Sequence, residues 1–333
     1  MKPLSFVIVT YNRPADMLSL AENISQLQDL DDLVEEVVIV NNHSTVSYGE
    51  LDAFIAGHET RFAKAGTPFR YFVTPQNLGV SGGRNFGIRQ SKAPILVFLD
   101  DDALIQNPDA LRQIVAIFGE HAAGDELTQF AGQHTPVDAH AADTAAARPI
   151  GIAAFKVYYY ETMAMQQNAF PHKRFEERKD WPHFDTAYFS GCAHAIRRTV
   201  FDKVGYYPET FFYGMEEYDL SYRALDAGFR IRYDNRVVIL HKESPAGRLP
   251  AREKLRGMWV NKSIVAWKFL PLRFFVTTSF LWSLEYLKRS GVDLAGCWKG
   301  WRAIRRIPGK EKRTPLNKDC LAYLKKVKAR LTY

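Results

Sequence analysis

The chain has 333 residues, 47% of them hydrophobic and 24% charged, a composition that supports a sizeable core and excludes wholesale disorder. Its formal charge of +7 is uneven: from Lys288 onward fourteen Lys and Arg face only Asp293, Glu311 and Asp319, so the tail is the part that attracts polyanions. Cys192, Cys297 and Cys320 are odd in number, widely separated and without metal-ligand spacing, which suggests neither a disulfide framework nor a zinc site and suits a reducing compartment.

Phe6 to Val9 is a short β-branched run that ends in Thr10-Tyr11-Asn12-Arg13-Pro14. Pro14 suits the first turn of a helix, and Met17, Leu18, Ala21, Ile24 and Leu27 follow at helical spacing. Val37 to Val40 is a second strand, closed by the polar cluster Asn41-Asn42-His43-Ser44. This order implies a right-handed βαβ unit with both polar loops at one sheet edge. No apolar leader with a cleavage signal precedes the first strand, so a cytoplasmic location is expected.

Phe69 to Thr74 reads as a third strand and leads into Asn77-Leu78-Gly79, with Gly82, Gly83, Arg84, Asn85 and Gly87 close behind. A helix starting near Ser81 would aim amide donors at an anion, and the glycines permit close backbone approach. The spacing fits neither a Walker A loop nor a dinucleotide fingerprint. Ile95 to Leu99 is a continuous apolar run, as in a strand buried on both faces, and it ends in Asp100-Asp101-Asp102. Three crowded carboxylates at a strand's carboxyl end repel one another unless a cation or a set of donors compensates.

Asn107-Pro108 caps a helix with Leu111, Ile114, Val115 and Phe118 on one face. Residues 119–148, rich in Ala, Asp, His and Gly without periodicity, read as a flexible insertion whose His121, His134 and His140 fit no metal motif. Order resumes at Ile150; Tyr188 to Ile196 reads as a strand and Thr199 to Val204 as a short helix. Phe211-Phe212-Tyr213-Gly214 introduces Glu216, Glu217 and Asp219, three acids in four positions, on a helix that Gly228 stops. Phe229 to Tyr233 and Arg236 to Leu240 look like two strands, the second ending in His241. Ile264 to Leu287 is rich in Leu, Phe, Val and Trp but broken by Lys268, Pro271, Arg273 and Glu285. Those charges argue against a membrane span and for an amphipathic helix pair lying on a membrane ahead of the basic tail.

Taken together, the ordered motifs from Phe6 to His241 resemble glycosyltransferase family 2, inverting enzymes with a GT-A fold. Val7 to Arg13 is similar to the family's opening strand and nucleotide loop, Val38 to Ser44 to its second strand end, and Asn77 to Asn85 to the segment that approaches base and diphosphate. Asp100-Asp101-Asp102 resembles the DXD motif, and Glu216 to Leu220 the acidic acceptor-side motif. The resemblance implies a mixed, mostly parallel sheet flanked by helices over residues 1–245, with 246–333 as a helical, basic, membrane-associating extension. It implies donor contacts from Thr10, Tyr11, Asn12, Arg13, Asn41, Asn42, Ser44, Asn77, Gly79, Arg84, Asp100 and Asp101, and a Mn²⁺ or Mg²⁺ ion on Asp102 and His241. Asn41 stands where the family usually has an Asp that accepts from the pyrimidine imide; an amide oxygen still accepts but brings two donors. A UDP- or dTDP-sugar is therefore the expected donor, with cytidine and guanosine open.

In this reading Glu216 is the base that activates the acceptor hydroxyl, and Asp219 or Glu217 holds an acceptor hydroxyl. The expected acceptor is a glycan or lipid-linked glycan of surface polysaccharide synthesis, met on the inner face of the cell membrane, with no nucleic acid involved. The rival readings are a sugar nucleotidyltransferase and a catalytically silent nucleotide-sugar-binding scaffold of a membrane assembly.

Overall fold

The computed structural model describes residues 1–61, 66–119, 148–244 and 250–331. Its first half alternates strand and helix: β1 (Leu4–Thr10), α1 (Pro14–Ser25), α2 (Leu30–Leu33), β2 (Val34–Asn41), α3 (Gly49–Arg61), β3 (Phe69–Val73), α4 (Gly79–Gln90) and β4 (Ile95–Asp100). There follow β5 (Ala103–Ile105), α5 (Ala110–Gly119), β6 (Ile150–Tyr159), α6 (Phe175–Arg178), β7 (His183–Thr186), β8 (Ala193–Arg197), α7 (Arg198–Val204), α8 (Glu216–Asp226) and β9 (Arg230–His241). The C-terminal region holds α9 (Ala251–Phe269), α10 (Leu272–Ser290), α11 (Leu294–Ile304), α12 (Ile307–Lys310) and α13 (Lys318–Lys326). Of the insertion expected at 119–148, residues 120–147 lie outside the described residues, and His121, His134 and His140 with them.

One mixed sheet runs β3-β2-β1-β4-β8-β6-β9-β5, with β7 added beside β9. The β3-β2-β1-β4 part is parallel throughout, so the carboxyl ends of β1, β2 and β4 open at one edge. The continuous apolar runs are explained by burial on both faces. Phe6, Ile8, Val97 and Leu99 enter one core with α1 and α5, while Val7, Leu96 and Phe98 enter the other with α7, α8 and α9. Helix α4 lies unusually close to β1: a Cβ on Gly87 would fall 2.4 Å from Val7 Cγ1, and one on Gly83 2.8 Å from Val9 Cγ1. These two glycines serve packing.

Two expectations change. Arg230 to His241 forms one strand, not two; its register against β6 passes from Phe155↔Asp234 to Lys156↔Val238, so the polar break near Asn235 is a bulge. The helices of the C-terminal region begin at Ala251, well before Ile264, because Leu255, Trp259 and Lys262 are already buried on α9. Trp259 is fully buried, stacks on Tyr286 at 5.6 Å and meets Trp301 edge-on at 5.6 Å. Gly300 makes room for it; an added Cβ there would sit 2.1 Å from the indole.

Replacing Trp259 by Ala empties the centre of the α9–α10–α11 cluster. We expect it to lower unfolding free energy by about 3–5 kcal/mol, read as a shifted urea midpoint, with Gly300→Val falling in the same direction.

Candidate active site

The strand ends bring the acidic triplet to the mouth of a cavity of about 1530 Å³. Arg13, just after β1, reaches across it. Its Nη1 donates to Asp101 Oδ1 at 2.8 Å and stands 3.0 Å from Asp102 Oδ2, while Nη2 donates to the Ser244 carbonyl at 3.0 Å. Burial pushes the Asp101 carboxyl up to about 7 against the pull of Arg13. Asp101 is therefore a buried partner of Arg13 more than an open ligand.

Asp102 divides its two oxygens. Oδ2 accepts from the Ser244 backbone N–H at 2.8 Å, and Oδ1 lies 3.2 Å from His241 Nε2. Register explains the encounter: Ala103 of β5 pairs with His241 of β9, so the residue before β5 meets the last residue of β9. On its other side His241 Nδ1 is 2.9 Å from Gln166 Oε1, whose amide Nε2 donates to Glu243 at 2.8 Å. That chain turns the Gln166 oxygen toward the ring, so Nδ1 carries the proton and Nε2 faces Asp102. Burial pulls the imidazole down, yet contacts with Asp102, Cys192 and Asp100 outweigh it and lift the ring to about 11.

Asp100, Asp102 and His241 each bring one ligand atom within 4.8 Å of the others. Two carboxylates and an imidazole fit Mn²⁺ well and Mg²⁺ less well. The strong pull for positive charge at His241 Nε2 is the demand a divalent cation meets in place of a proton. The residues present fit the group, and Asp100 joins the pair expected from sequence.

The second half of the site centres on Arg84 of α4. Its Nη2 donates to the Gly191 carbonyl at 2.8 Å and lies 3.3 Å from Asp100, while Nη1 lies 3.5 Å from Glu216 and 3.3 Å from Glu217. Burial opposes the charge of Arg84, but Tyr207, Asp100, Glu217 and Glu216 together raise its pKa. Glu216, 2% exposed at the start of α8, is held well above the carboxylate range by burial and by the neighbouring Glu217 charge. Its Oε2 has no hydrogen-bond partner among the described residues. Gly191 leaves room for Glu217, whose Oε1 would lie 2.1 Å from a Cβ placed there.

Gly79 ties the two halves together. It sits at φ +69°, where a Cβ would strike the Phe212 carbonyl at 2.8 Å, and Val80 N–H donates to that same carbonyl at 3.1 Å. The loop before Glu216 thus rests on the start of α4.

Of the expected donor residues, Tyr11, Arg13, Asn42, Asn77, Gly79, Arg84, Asp100 and Asp101 line the cavity, as do Asp102, His241, Glu216 and Glu217. Thr10, Asn12, Asn41 and Ser44 stand behind the lining and hold the loops. Thr10 Oγ1 meets the Tyr48 hydroxyl at 2.8 Å, and Asn12 N–H donates to Ser44 Oγ at 2.8 Å. Asn41, expected to read the base, has its amide engaged: Oδ1 accepts from Ser44 N–H at 2.8 Å and Nδ2 donates to Tyr71 at 2.6 Å. Asn42 is engaged too, with Nδ2 donating to Asn77 Oδ1 and to the Gly79 carbonyl, each at 3.1 Å. Asp219, expected to hold an acceptor hydroxyl, is turned away. Arg223 takes one oxygen at 2.7 Å and Lys268 of α9 the other, so it anchors α9 to α8.

Several lining residues carry no sequence signal. Gln166 and Gly191 act through amide or backbone groups, and Lys254, Met258, Lys262, Leu281 and Trp282 bring α9 and α10 into the wall.

The profile of glycosyl transferase family 2 matches residues 5–205, more than half of the chain. An uncharacterized protein of Haemophilus influenzae is 25% identical over 206 residues, 62% of this chain and 92% of its own length. The fold is similar to S. aureus TarS 1–349 in complex with UDP-GlcNAc, with TM-score 0.54 and 15% identity over 93% of this chain and 84% of that one. It is similar also to the mannosyltransferase PcManGT from Pyrobaculum calidifontis in complex with GDP-Man and Mn²⁺, with TM-score 0.56 and 16% identity over 98% and 79% of the two chains. Against a longer S. aureus TarS structure, at TM-score 0.51 and 16% identity, the match covers 84% of this chain and 44% of that one. The α/β architecture is thus that of the GT-A glycosyltransferases, and the chain belongs to glycosyl transferase family 2.

Proposed function

We propose that the protein is a metal-dependent, inverting glycosyltransferase. It moves a sugar from a UDP- or dTDP-linked donor to a hydroxyl of a glycan or lipid-linked acceptor in surface polysaccharide synthesis. One observation carries the reading: a carboxylate–imidazole cluster and a pair of glutamates, Glu216 buried and Glu217 partly so, share one cavity, on opposite sides of Arg84. A hexosyl donor suits its volume, and the ligands of the neighbours, UDP-GlcNAc and GDP-Man, belong to the same chemical class.

In this division of labour Asp100, Asp102 and His241 hold the cation, which supplies positive charge against the leaving diphosphate. Arg84 adds a fixed charge at the same place, and Arg13 keeps Asp101 and Asp102 at the loop end. Glu216 takes the proton of the attacking hydroxyl, and Glu217 holds an acceptor hydroxyl. Burial makes Glu216 a stronger base than an exposed carboxylate, at the cost of ionising at higher pH. Residues 1–245 carry the donor chemistry, while 246–333 complete the acceptor wall.

The C-terminal region also supports contact with the inner membrane face. No helix among the described residues is long and apolar enough to cross a membrane. On α10, however, Leu272, Val276, Phe280 and Leu284 recur every four residues and are all more than half exposed. Val292, Leu294 and Trp298 extend this surface toward α11. Arg273, Lys288, Arg289, Lys299 and Arg302 accompany it in sequence, as a helix lying on anionic lipid requires. Leu281 and Trp282 of the same helix line the cavity, which supports a lipid surface beside the acceptor side.

For donor and metal, thermal shift with UDP-GlcNAc and GDP-Man, with and without Mn²⁺, reads the base and the ion together. Asp102→Asn should abolish the Mn²⁺-dependent part of the shift; an unchanged metal response removes Asp102 from the site. Glu216→Gln should keep the donor shift while sugar release or transfer falls about 100-fold or more. Wild-type turnover should rise with pH above the ordinary carboxylate range, because only ionised Glu216 accepts the proton and burial delays its ionisation.

For the membrane, co-sedimentation of the full chain with vesicles containing anionic lipid should show binding that weakens with salt. Val276→Asp with Phe280→Asp should remove it while the melting temperature stays unchanged. Undiminished binding by that variant means that α10 is not the contact.

A further inference from the structure

Beyond Glu216 the cavity wall changes character. Tyr188 and Tyr218 stack there with ring centroids 4.6 Å apart. Lys262 of α9 lies beside them, buried, 4.5 Å from the Trp282 ring centre and 6.0 Å from that of Tyr218. Arg330, from the chain after α13, lines the same cavity. Burial, with the charge of Arg330 adding to it, brings Lys262 down to about 7. Two like charges at one wall are relieved by an anion placed against them.

The cationic surface does not stop at the cavity. Lys173 and Arg330 also line an adjoining groove of about 500 Å³, together with Arg174, Lys325 and Lys328. Five cations line it, over Phe274 and Leu331, and its lining holds no carboxylate. Arg174 is paired with Glu177 at 2.6 Å, while Lys325, Lys328 and Arg330 are exposed. The stacked tyrosines and Trp282 supply flat apolar faces of the kind that pack against sugar rings. The lysines and arginines recur along a path that starts near Glu216 and leads out to the surface.

We propose that this path binds a polyanionic acceptor, a glycan strand carrying phosphate or carboxylate groups at intervals. Its terminal sugar reaches Glu216 while the following anions lie against Lys262, Arg330 and the Lys325–Lys328 groove. The proposal rests on the reading of the cavity as a sugar-transfer site and specifies what that site accepts. A neutral glycan would bring no charge to the exposed Lys325, Lys328 and Arg330. The donor diphosphate is served on the far side of Arg84, by the Asp100, Asp102 and His241 cluster, and has no need of them.

The test is direct binding, independent of turnover. Fluorescence anisotropy with labelled oligogalacturonate, a phosphodiester-linked oligosaccharide, neutral dextran of equal length and a short RNA would be run on the full chain. Saturating Mn²⁺ with UDP or GDP would be present to fill the donor half. One or both anionic glycans should bind, more weakly as salt rises, and which of them binds assigns carboxylate or phosphate. Lys325→Glu with Lys328→Glu should weaken that binding about tenfold or more, and Arg330→Gln should act in the same direction. Vesicle binding through α10 should survive these changes. Lys262→Met serves as a further variant where it folds, and the exposed substitutions decide the matter where it does not. Dextran binding as tight as that of the anionic glycans overturns the proposal, as do charge-reversed variants that bind normally, displacement by the nucleotide, or a preference for RNA. If anionic glycan binds as expected but no sugar is ever transferred, the reading of the site as a transferase fails while the groove stands.

Discussion

A single buried guanidinium sets the geometry of this site. Arg84 projects from α4 into a space where Asp100, Glu216, Glu217 and the Gly191 carbonyl converge from β4, α8 and the loop before β8. Without a cation there, three carboxylates from two distant parts of the chain would not share one cavity, because burial and mutual repulsion would push them apart or protonate them. Arg84 in turn depends on those anions, since burial alone opposes its charge. The arrangement is therefore mutual: the charge that steadies Asp100 also lowers the repulsion between Glu216 and Glu217. The glycines around it are part of the same constraint. Gly83 and Gly87 let α4 approach β1 closely enough for its next turn to reach the strand ends, and Gly191 leaves room for Glu217.

A second set of contacts stabilises the triplet. Arg13 occupies the inner oxygens of Asp101 and Asp102, and the Ser244 backbone N–H takes the same oxygen of Asp102. What remains facing His241 and Asp100 is the other oxygen of Asp102. Three adjacent aspartates thus acquire three different environments: Asp100 is partly exposed beside Arg84, Asp101 is buried on Arg13, and Asp102 is shared between a cationic clamp and an imidazole. The strand register makes this division reproducible, for β5 pairs with the end of β9 and so delivers His241 to Asp102.

Much of this was legible in the sequence where local pattern and chemistry coincide. The continuous runs at β1, β2 and β4 declare strands buried on both faces, and acids following such a run declare a site at the strand end. Pro14 and Gly228 mark helix boundaries that the structure keeps. The cluster at Glu216 was legible as a set but not in its parts. Whether Asp219 faces the cavity or α9 depends on Lys268, forty-nine residues away, and no local spacing carries that information. Asn41 is similar: its residue type suits base recognition, yet Tyr71 on the neighbouring strand and the Ser44 amide claim its two ends. The break near Asn235 read as a gap between strands because a bulge and a turn share the same polar signature.

The C-terminal helices were read from composition as something apart, and their contacts argue otherwise. Asn261 of α9 donates to the Tyr213 and Gly214 carbonyls at 3.1 and 2.9 Å, in the loop that presents Glu216. Lys268 holds Asp219 one turn further along α8, and Val265, Ala266 and Phe269 enter the core beneath it. The same loop rests on Gly79 at the start of α4. Helix α9 is therefore hydrogen-bonded to the loop that presents Glu216 and Glu217, and Arg84 links these to Asp100. An α10 face that rests on lipid would press on the same assembly, since α9 and α10 are packed through Trp259 and Tyr286. Under the proposed function, location and catalysis are joined by packing: the exposed apolar face of α10 and Glu216 are separated by two helices and one hydrogen-bonded loop.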